Sequence, residues 1–386
     1  MCRWRLSAGL GLALSIGVTE VSAQMIAHTV ATGIRGGYQV VAVDLNRDRR
    51  PDLVALGSQM PELVWYENPT WERHVITTGA PRMINADAAD TDGDGIPEIA
   101  LAYEFSTSPG KSLGKIAILQ HAGDPRQPWT LKEIDALPAS HRIRWADIDG
   151  SGRKVLVNAP ILNSKASGFP DPERLPTPLV FYRAPGWMRE TITLENQGVV
   201  HGLLIWDFDG DGREEVTTGG RLGVHRHGYG PDGRWTRTSL TEGEPAPYPD
   251  GGASDLGAGR LGSEQFFAAI EPFHGNKVVV YRQRGQGAWQ RYVIDTEVAN
   301  GHSMAVGDLD GDGNAEIVAG GTRGRSVYLY RIAGAEGERW ERTVLDADLA
   351  PNGCAMADID GDGVTDAACI DAANPWSLKW YGMPRR

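Results

Sequence analysis

The sequence predicts an all-β fold, a seven-bladed β-propeller made of four-stranded antiparallel blades. The first observation is an acidic motif, Asp-x-Asp-Gly-Asp-Gly-x-x-Asp/Glu, which recurs seven times at steps of 46 to 60 residues. Those steps match a propeller blade rather than a helical repeat. The second observation is the short apolar segment that follows each copy. The third is a composition of 49 glycines and 23 prolines without long helical periodicity.

The copies of the motif differ in how many acidic positions they keep. Four are complete and begin at Asp90, Asp207, Asp308 and Asp358. Two looser copies begin at Asp44 and Asp147. The copy at Asp255 has lost its acidic side chains and is counted as the loop of the fifth blade.

The blade around Asp308 illustrates the predicted strand order. Its four strands are expected at residues 301–307, 316–319, 326–330 and 340–345. Tryptophans recur near the outer strands of the other blades, and we interpret them as packing between blades. A flat apolar ring fits the space between two stacked sheets.

The ring is predicted to close by joining the two ends of the domain. The last repeat contains only three strands, so residues 25–30 are expected to supply its fourth strand. This pairing removes the exposed edges that an open array would present. His28 and His74 then lie on outer strands, and neither is expected to be catalytic.

The N-terminus has the pattern of a signal peptide. Basic residues are followed by an apolar run and by small residues before Gln24, which predicts cleavage after residues 1–23. Residues 24–386 would then form the propeller domain. The apolar run is too short to span a bilayer comfortably. We therefore expect a secreted or periplasmic protein without a membrane span.

Charge and cysteine content restrict the partners further. The net charge of −12 argues against nucleic acid or an anionic membrane as a partner. Cys354 and Cys369 fall nearly opposite each other on one predicted hairpin. A disulfide and a pair of buried thiols both remain open there.

The complete motif copies predict calcium loops. Carboxylates at positions 1, 3, 5 and 9, with a glycine for the sharp turn, can surround a hard cation with oxygen atoms. The predicted ligands are Asp90, Asp92, Asp94, Glu98, Asp207, Asp209, Asp211, Glu215, Asp308, Asp310, Asp312, Glu316, Asp358, Asp360, Asp362 and Asp366. A fifth candidate loop uses Asp44, Asn46, Asp48 and Asp52, although Arg49 replaces the usual glycine. We expect these sites to be structural.

A second set of residues is predicted to ring the central channel on the opposite face. The first strand of each blade runs along the channel towards its acidic loop, so residues six places before that loop should lie at the channel mouth. That position holds Tyr38, Ile84, His141, His201, Pro249, His302 and Asn352. Three histidines at one structural offset indicate a functional site that could include a divalent ion, either a transition metal or Mg²⁺.

The longest loops return to the same face, where ligands commonly bind. They are residues 103–114, 158–178 and 271–276. Their polar residues and others near the mouth are candidates for the pocket, namely Arg82, Tyr103, Glu104, Lys165, Asp250, Glu271, His274 and Arg323. Tyr103 or Lys165 is the predicted proton donor to a leaving oxygen.

The blades resemble the FG-GAP/VCBS class of calcium-binding β-propellers. The segment Trp-Tyr-Glu-Asn-Pro-Thr-Trp at residues 65–71 and the glycines beside His201 and His302 are similar to the propeller domain of aldos-2-ulose dehydratases. This resemblance implies elimination of water beside a carbonyl, with a divalent metal and channel histidines. Ulvan and rhamnogalacturonan lyases share the same scaffold, and a fold does not by itself determine a function.

Two functions follow from this reading of the sequence. The favoured one is an exported carbon-oxygen lyase that eliminates water or an alkoxide beside a carbonyl of a keto-sugar or uronate. His141, His201 and His302 would act as metal ligands or as proton-transfer groups, because their ordinary pKa values lie near neutrality. The alternative is a non-catalytic, calcium-stabilised propeller that binds a glycan or a protein partner.

Overall fold

A computed structural model describes residues 24–283, 285, 287–334 and 338–384. The described chain forms seven four-stranded antiparallel sheets. The predicted signal peptide lies outside the described residues. Among the residues described, no helix is long and apolar enough to cross a membrane.

The strands follow one another around the ring in chain order. Blade one contains β2 (Gly37–Val43), β3 (Asp52–Gly57), β4 (Leu63–Glu67) and β5 (Glu72–Thr77). Blade two contains β6 (Asn85–Ala89), β7 (Glu98–Tyr103), β8 (Lys115–Gln120) and β9 (Thr130–Ala136). Blade three contains β10 (Ser140–Ala146), β11 (Val155–Pro160), β12 (Leu179–Tyr182) and β13 (Arg189–Thr193). Blade four contains β14 (Val200–Trp206), β15 (Glu215–Gly220), β16 (Gly223–Tyr229) and β17 (Trp235–Thr241).

The remaining blades complete the circle. Blade five contains β18 (Leu256–Leu261), β19 (Glu264–Glu271), β20 (Lys277–Gln283) and β21 (Trp289–Asp295). Blade six contains β22 (Gly301–Gly307), β23 (Glu316–Gly321), β24 (Val327–Ile332) and β25 (Trp340–Asp346). Blade seven contains β26 (Pro351–Ala357), β27 (Asp366–Asp371), β28 (Leu378–Gly382) and, at its outer edge, β1 (Ile26–Ala31).

Closure by the N-terminal strand is confirmed. β1 pairs antiparallel with β28, and His28 lies opposite Trp380. The innermost strands contact one another in sequence, and β26 returns to contact β2. The described strands therefore form a closed ring in which the first and last blades are in contact. His28 stacks on Trp380 at a ring separation of 4.1 Å, which agrees with an outer-strand packing role.

The core lies between adjacent blades. The second strand of every blade is completely buried or nearly so, because each face of that strand packs against another sheet. One core cluster joins Trp65 of blade one to Ile99 and Trp129 of blade two. The predicted packing role of the outer-strand tryptophans is borne out by Trp129 and Trp340, which are 5% and 8% exposed.

The predicted loop of blade five was wrong. Residues 256–261 form strand β18, and β19 begins at Glu264, so only Gly262 and Ser263 form the turn. Without acidic side chains the segment cannot bind a cation, so no long loop closes around one. A two-residue hairpin turn takes its place and begins at Gly262, whose φ is +57°. The mouth position therefore belongs to Ser254 and not to Pro249. The backbone N–H of Ser254 donates to the carbonyl of Ile270, as that of Ile84 does to Ala102 in blade two.

Cys354 and Cys369 form a disulfide across the first two strands of blade seven. The sequence had left open whether these residues are bonded. Because the two residues are directly opposite in the ladder, the bond joins an inner strand to its neighbour.

Candidate active site at the channel mouth

The channel-mouth residues occupy irregular positions in their strands. In five of the seven inner strands the register of the ladder shifts at this position, where the residues are Tyr38, His141, His201, His302 and Asn352. A bulge leaves its extra residue unpaired and turns that side chain in a new direction. The repeated bulge thus explains why side chains from separate blades converge on one point.

Four histidines form a compact cluster at this point, in which His141, His201 and His302 are buried and His274 is partly buried. The ring centroids of His141 and His201 are 4.9 Å apart, and those of His201 and His302 are 5.1 Å apart. His274, from the loop between β19 and β20, lies 4.7 Å from His201 and 4.9 Å from His302. Single nitrogen atoms of His201, His274 and His302 all lie within 4.8 Å of one another, so these three residues could hold a metal ion.

The hydrogen bonds of the cluster constrain which nitrogen atoms are free. The Nδ1–H of His302 donates to the carbonyl of Asn352 at 2.8 Å, which leaves Nε2 with its lone pair. The Nε2 atoms of His201 and His274 are 3.1 Å apart. His141 Nε2 lies 2.9 Å from the hydroxyl of Tyr38. Among the described residues, the buried Nδ1 atoms of His141 and His201 have no hydrogen-bond partner.

The electrostatic environment keeps the cluster neutral. Burial lowers the pKa of His141, His201 and His302 well below its usual value, and the nearby charge of Arg142 lowers it further. Burial also lowers the pKa of His274 to about 4. Neutral imidazoles keep lone pairs that can accept a proton or bind a metal ion.

Aromatic side chains from the surrounding loops cover the histidines. Phe105 lies 5.3 Å from His141 between ring centroids, and Phe273 stacks on His274 at 4.4 Å. The loop between β11 and β12 brings Phe169 to within 6.0 Å of Phe273. These rings form an apolar rim around a polar centre.

A cavity of about 310 Å³ fills the channel and is lined by the inner strands of all seven blades. Arg142 and Arg144 are its cationic groups, and Asp255 is an acidic one. Arg144 Nη1 donates to Asn85 Oδ1 at 2.8 Å. Arg142 Nη1 donates to the Tyr38 hydroxyl at 3.4 Å, so the arginine connects to the histidines through that phenol.

The acidic loops lie at the other end of the inner strands, as predicted. In four of these loops, three carboxylate oxygens lie within 4.8 Å of one another and could hold a metal ion. The four groups are Asp90 with Asp92 and Glu98, Asp207 with Asp209 and Glu215, Asp308 with Asp310 and Glu316, and Asp358 with Asp360 and Asp366. In the loop of blade two, one oxygen of Glu98 accepts the N–H of Thr91 at 2.8 Å. The other oxygen, Oε1, is buried without a hydrogen-bond partner among the described residues.

The electrostatics of these loops fit a cation. Burial, with a further contribution from Asp310 and Asp312, raises the pKa of Glu316 to about 8. Burial raises the pKa of Glu215 and of Asp366 to about 7 in the same way. Carboxylates with raised pKa values ionise less readily in the absence of a cation. A bound cation would stabilise their ionised forms.

The two looser loops differ from the others in geometry. Both oxygens of Asp52 already accept backbone N–H groups, from Leu45 and from Asn68, each at 2.9 Å. Arg49 adopts φ of +70°, where the complete loops have glycine. The Asp147 loop contains no cluster of three acidic ligands among the described residues. Both loops are therefore weaker candidates than the four complete ones.

Comparison with known proteins identifies the repeats. The model of the β-propeller domain of aldos-2-ulose dehydratase matches residues 113–284, and the model of the FG-GAP-like repeat matches residues 27–101, 262–319 and 310–369. Segments of the chain thus resemble FG-GAP-like repeats, and a further segment resembles the β-propeller domain of aldos-2-ulose dehydratase. Aldos-2-ulose dehydratase from Phanerodontia chrysosporium is 25% identical over 290 residues, which cover 66% of this chain and 30% of that protein. This propeller therefore spans less than a third of the curated relative that it matches.

Some of the predicted catalytic residues do not join the histidines. The hydroxyl of Tyr103 donates to Glu133 on β9 at 3.3 Å and makes no hydrogen bond with the histidine cluster. Lys165 is exposed, and its backbone N–H donates to Asn163 Oδ1 at 2.9 Å. Glu271 is buried and accepts the hydroxyl hydrogen of Tyr281 at 2.6 Å, which is a structural role.

Two residues are more central to the site than the sequence pattern indicates. Tyr38 was recognised only as a position on the ring, and its contact with His141 depends on side chains from two blades. His274 was one of several polar loop residues, yet it replaces His141 in the group with metal-binding geometry. The available signal was its place in a loop on the same face as His201 and His302.

Proposed function

We propose that this protein is an exported carbohydrate lyase or dehydratase that eliminates water or an alkoxide beside a carbonyl of a keto-sugar or uronate. The observation that carries the proposal is the cluster of four neutral histidines, three of them buried, beside Tyr38 at the channel mouth. A packed core has no need for four adjacent imidazoles with two unpartnered nitrogens. The similarity to the aldos-2-ulose dehydratase domain supports the class of reaction.

The ligand set favours a transition-metal ion or Zn²⁺ over Mg²⁺. His201, His274 and His302 offer only imidazole nitrogens, whereas Mg²⁺ and Ca²⁺ prefer oxygen ligands. The bond from His302 to the Asn352 carbonyl orients the ring so that Nε2 faces the cluster. When bound, such an ion would polarise the carbonyl of the substrate and stabilise the enolate.

His141 and Tyr38 can together move the two protons that elimination requires. We assign Nε2–H of His141 as the donor to the Tyr38 oxygen, which leaves Nδ1 free to take the proton α to the carbonyl. The electrons of the broken C–H bond form the C=C bond as the C–O bond breaks. Tyr38 gives its hydroxyl proton to the departing oxygen and regains a proton from His141 Nε2. Both residues end neutral, and the products are the unsaturated sugar and water or an alcohol.

The four complete acidic loops are proposed to bind calcium as structural sites. Their hard oxygen ligands fit Ca²⁺, and FG-GAP-like repeats cover three of the four. Export after cleavage near Ala23 belongs to the same proposal. The disulfide between Cys354 and Cys369 supports it, because such bonds persist in oxidising compartments.

The test is to incubate the purified protein with keto-sugars and uronate polysaccharides and to follow the absorbance of the unsaturated product. We expect product with the wild type and a loss of at least about 10²-fold for His201→Gln, the range for removal of a catalytic group. Metal analysis should show one ion fewer in the variant.

The matched control is His28→Gln, which changes an exposed histidine on β1 far from the channel. It should retain full activity and metal content. Failure of every substrate to give product, together with calcium as the only metal, would overturn the lyase and favour a glycan-binding or protein-binding propeller.

A further inference from the structure

The blades of this propeller are tied together by a recurring contact. At three junctions, a tyrosine on the third strand of one blade donates its hydroxyl hydrogen to an aspartate at or next to the end of the outer strand of the preceding blade. The pairs are Tyr182 with Asp135 (2.6 Å), Tyr330 with Asp295 (2.7 Å) and Tyr381 with Asp346 (3.0 Å). A cation next to the tyrosine binds the same carboxylate, and the three are Arg189, Arg342 and Lys379. We call this arrangement the inter-blade clasp.

The junction between blades four and five uses a modified clasp. Thr241 stands at the position of the aspartate and donates to the hydroxyl of Tyr281 at 3.2 Å. The carboxylate comes instead from Glu271, which accepts from Tyr281 at 2.6 Å and from Arg291 at 2.7 Å. The cation at this junction is therefore still paired with an acid.

The junction between blades three and four keeps the cation of the clasp but lacks its carboxylate. The strand register places His227 where blade six has Tyr330, and its partner on the outer strand is Arg237. The position of the missing aspartate falls on Thr193, which pairs with Leu179 as Asp346 pairs with Val327 in blade six.

Within the described part of the chain, no buried carboxylate pairs with the polar groups at this junction. His227 is 1% exposed and its Nδ1 atom lacks a hydrogen bond among the described residues, as does the buried Nε atom of Arg237. The nearest acid is Glu195, 3.8 Å from Arg237 Nη1, and its side chain is 73% exposed. An exposed pair at that distance contributes little.

A cavity of about 270 Å³ opens at this junction. Its lining includes Arg237, His225, Thr218 and Asn196, together with the exposed acid Glu195. His227 and Thr193 are not among the lining residues. Burial lowers the pKa of His225 to about 4 and that of His227 to about 3, so both imidazoles are neutral near pH 7 and each keeps one N–H to donate. Arginine with neutral donors is a suitable environment for a planar carboxylate.

We propose that this cavity binds a small carboxylate, such as the acid group of a uronate, which pairs with the cation that an aspartate of the chain neutralises at other junctions. The ligand would bond to Arg237 and to His225 and thereby supply the carboxylate that the clasp lacks at this junction. The inference does not depend on the reaction at the channel mouth, because the cavity is built from other residues.

The experiment compares thermal unfolding of the mature protein in acetate, glucuronate and chloride at matched ionic strength. The wild-type Tm should rise with carboxylate concentration beyond its value in chloride, because a ligand of the folded state stabilises it. Thr193→Asp supplies the missing carboxylate within the chain, so its Tm should be higher in chloride and should not respond further to either acid.

Two more variants keep the test decisive. Thr191→Asp places the same charge at an exposed position on the same strand and should keep the full wild-type response. Arg237→Gln should weaken binding of glucuronate about tenfold by calorimetry, which corresponds to about 1.4 kcal/mol. An equal response of the wild type to carboxylate and chloride, or an undiminished response in Thr193→Asp, would overturn the proposal.

Discussion

At the scale of single residues, the chemistry of the channel mouth depends on hydrogen bonds that fix nitrogen lone pairs. His302 is oriented by a backbone carbonyl, whereas His141 is oriented by the hydroxyl of Tyr38. Arg142 lies at 5.4 Å from the Tyr38 ring centroid, and its charge opposes the rise in pKa that burial imposes on the phenol. The site thus contains a potential proton donor in contact with a potential base.

Tyr38→Phe should separate proton transfer from metal binding. Loss of the hydroxyl should lower kcat about 10²-fold or more and leave metal content unchanged, because the phenol is not a metal ligand. Tyr103→Phe removes a hydroxyl that bonds to Glu133 on the outer strand, and it should retain wild-type kcat. Equal kcat values for the wild type and Tyr38→Phe would show that Tyr38 does not deliver the proton.

At the scale of structural elements, each complete acidic loop is a short connection that holds several carboxylates together between the two innermost strands. In all four of these loops the N–H of the second loop residue donates to the last acid of the motif at 2.8 Å, namely Glu98, Glu215, Glu316 or Asp366. Those hydrogen bonds fix the shape of the loop but leave its carboxylates close to one another. A cation would offset that repulsion and rigidify the first hairpin of the blade.

Removal of calcium should therefore destabilise the propeller. A chelator should lower Tm, and a site filled at a hundredfold excess over its Kd contributes about 2.7 kcal/mol. Asp308→Asn should reduce the bound calcium by one ion per chain in elemental analysis. Asp147→Asn is the matched control, since Asp147 belongs to no cluster of three acidic ligands in the described part of the chain. Unchanged calcium content in Asp308→Asn would contradict the assignment of that loop.

At the scale of the whole molecule, stability depends on contacts that join one blade to the next around a closed ring. The clasp of Asp346 ties blade six to blade seven, where the two ends of the described chain meet. Burial by itself would raise the pKa of Asp346, but bonds from Lys379, the Asp348 N–H and Tyr381 hold it below the usual value of 3.8. The contact is therefore stabilising only while Asp346 is ionised.

The stability of this junction should depend on pH in a defined direction. A depressed pKa in the folded state means that the stabilisation is present above the unfolded value and is lost as pH falls through the folded value. The Tm difference between the wild type and Asp346→Asn should thus be largest near neutral pH and should shrink below about pH 4. Asp348→Asn, an exposed neighbour whose backbone N–H is retained, should show no such change. A difference that stays constant with pH would contradict the ionised clasp.

The period of the acidic motif was enough to predict the seven blades, the strand order and the closing role of residues 25–30. It also placed six of the seven mouth positions correctly, because a strand of fixed length separates each from its loop. The prediction failed in blade five, where the Asp255 segment resembles the motif but forms a strand that ends in a two-residue turn. The spacing between motif copies does not predict the strand register of a blade whose loop has lost its acidic side chains.

The sequence by itself determined the propeller, the acidic loops and three of the four channel histidines, since each of these follows from a repeated local pattern. The tertiary structure alone decided that His274 joins His201 and His302, that Tyr38 contacts His141, and that Tyr103 faces away from the cluster. The physical reason is that bulges and loop paths set side-chain directions. Contacts between residues some 70 to 100 positions apart depend on how whole blades pack.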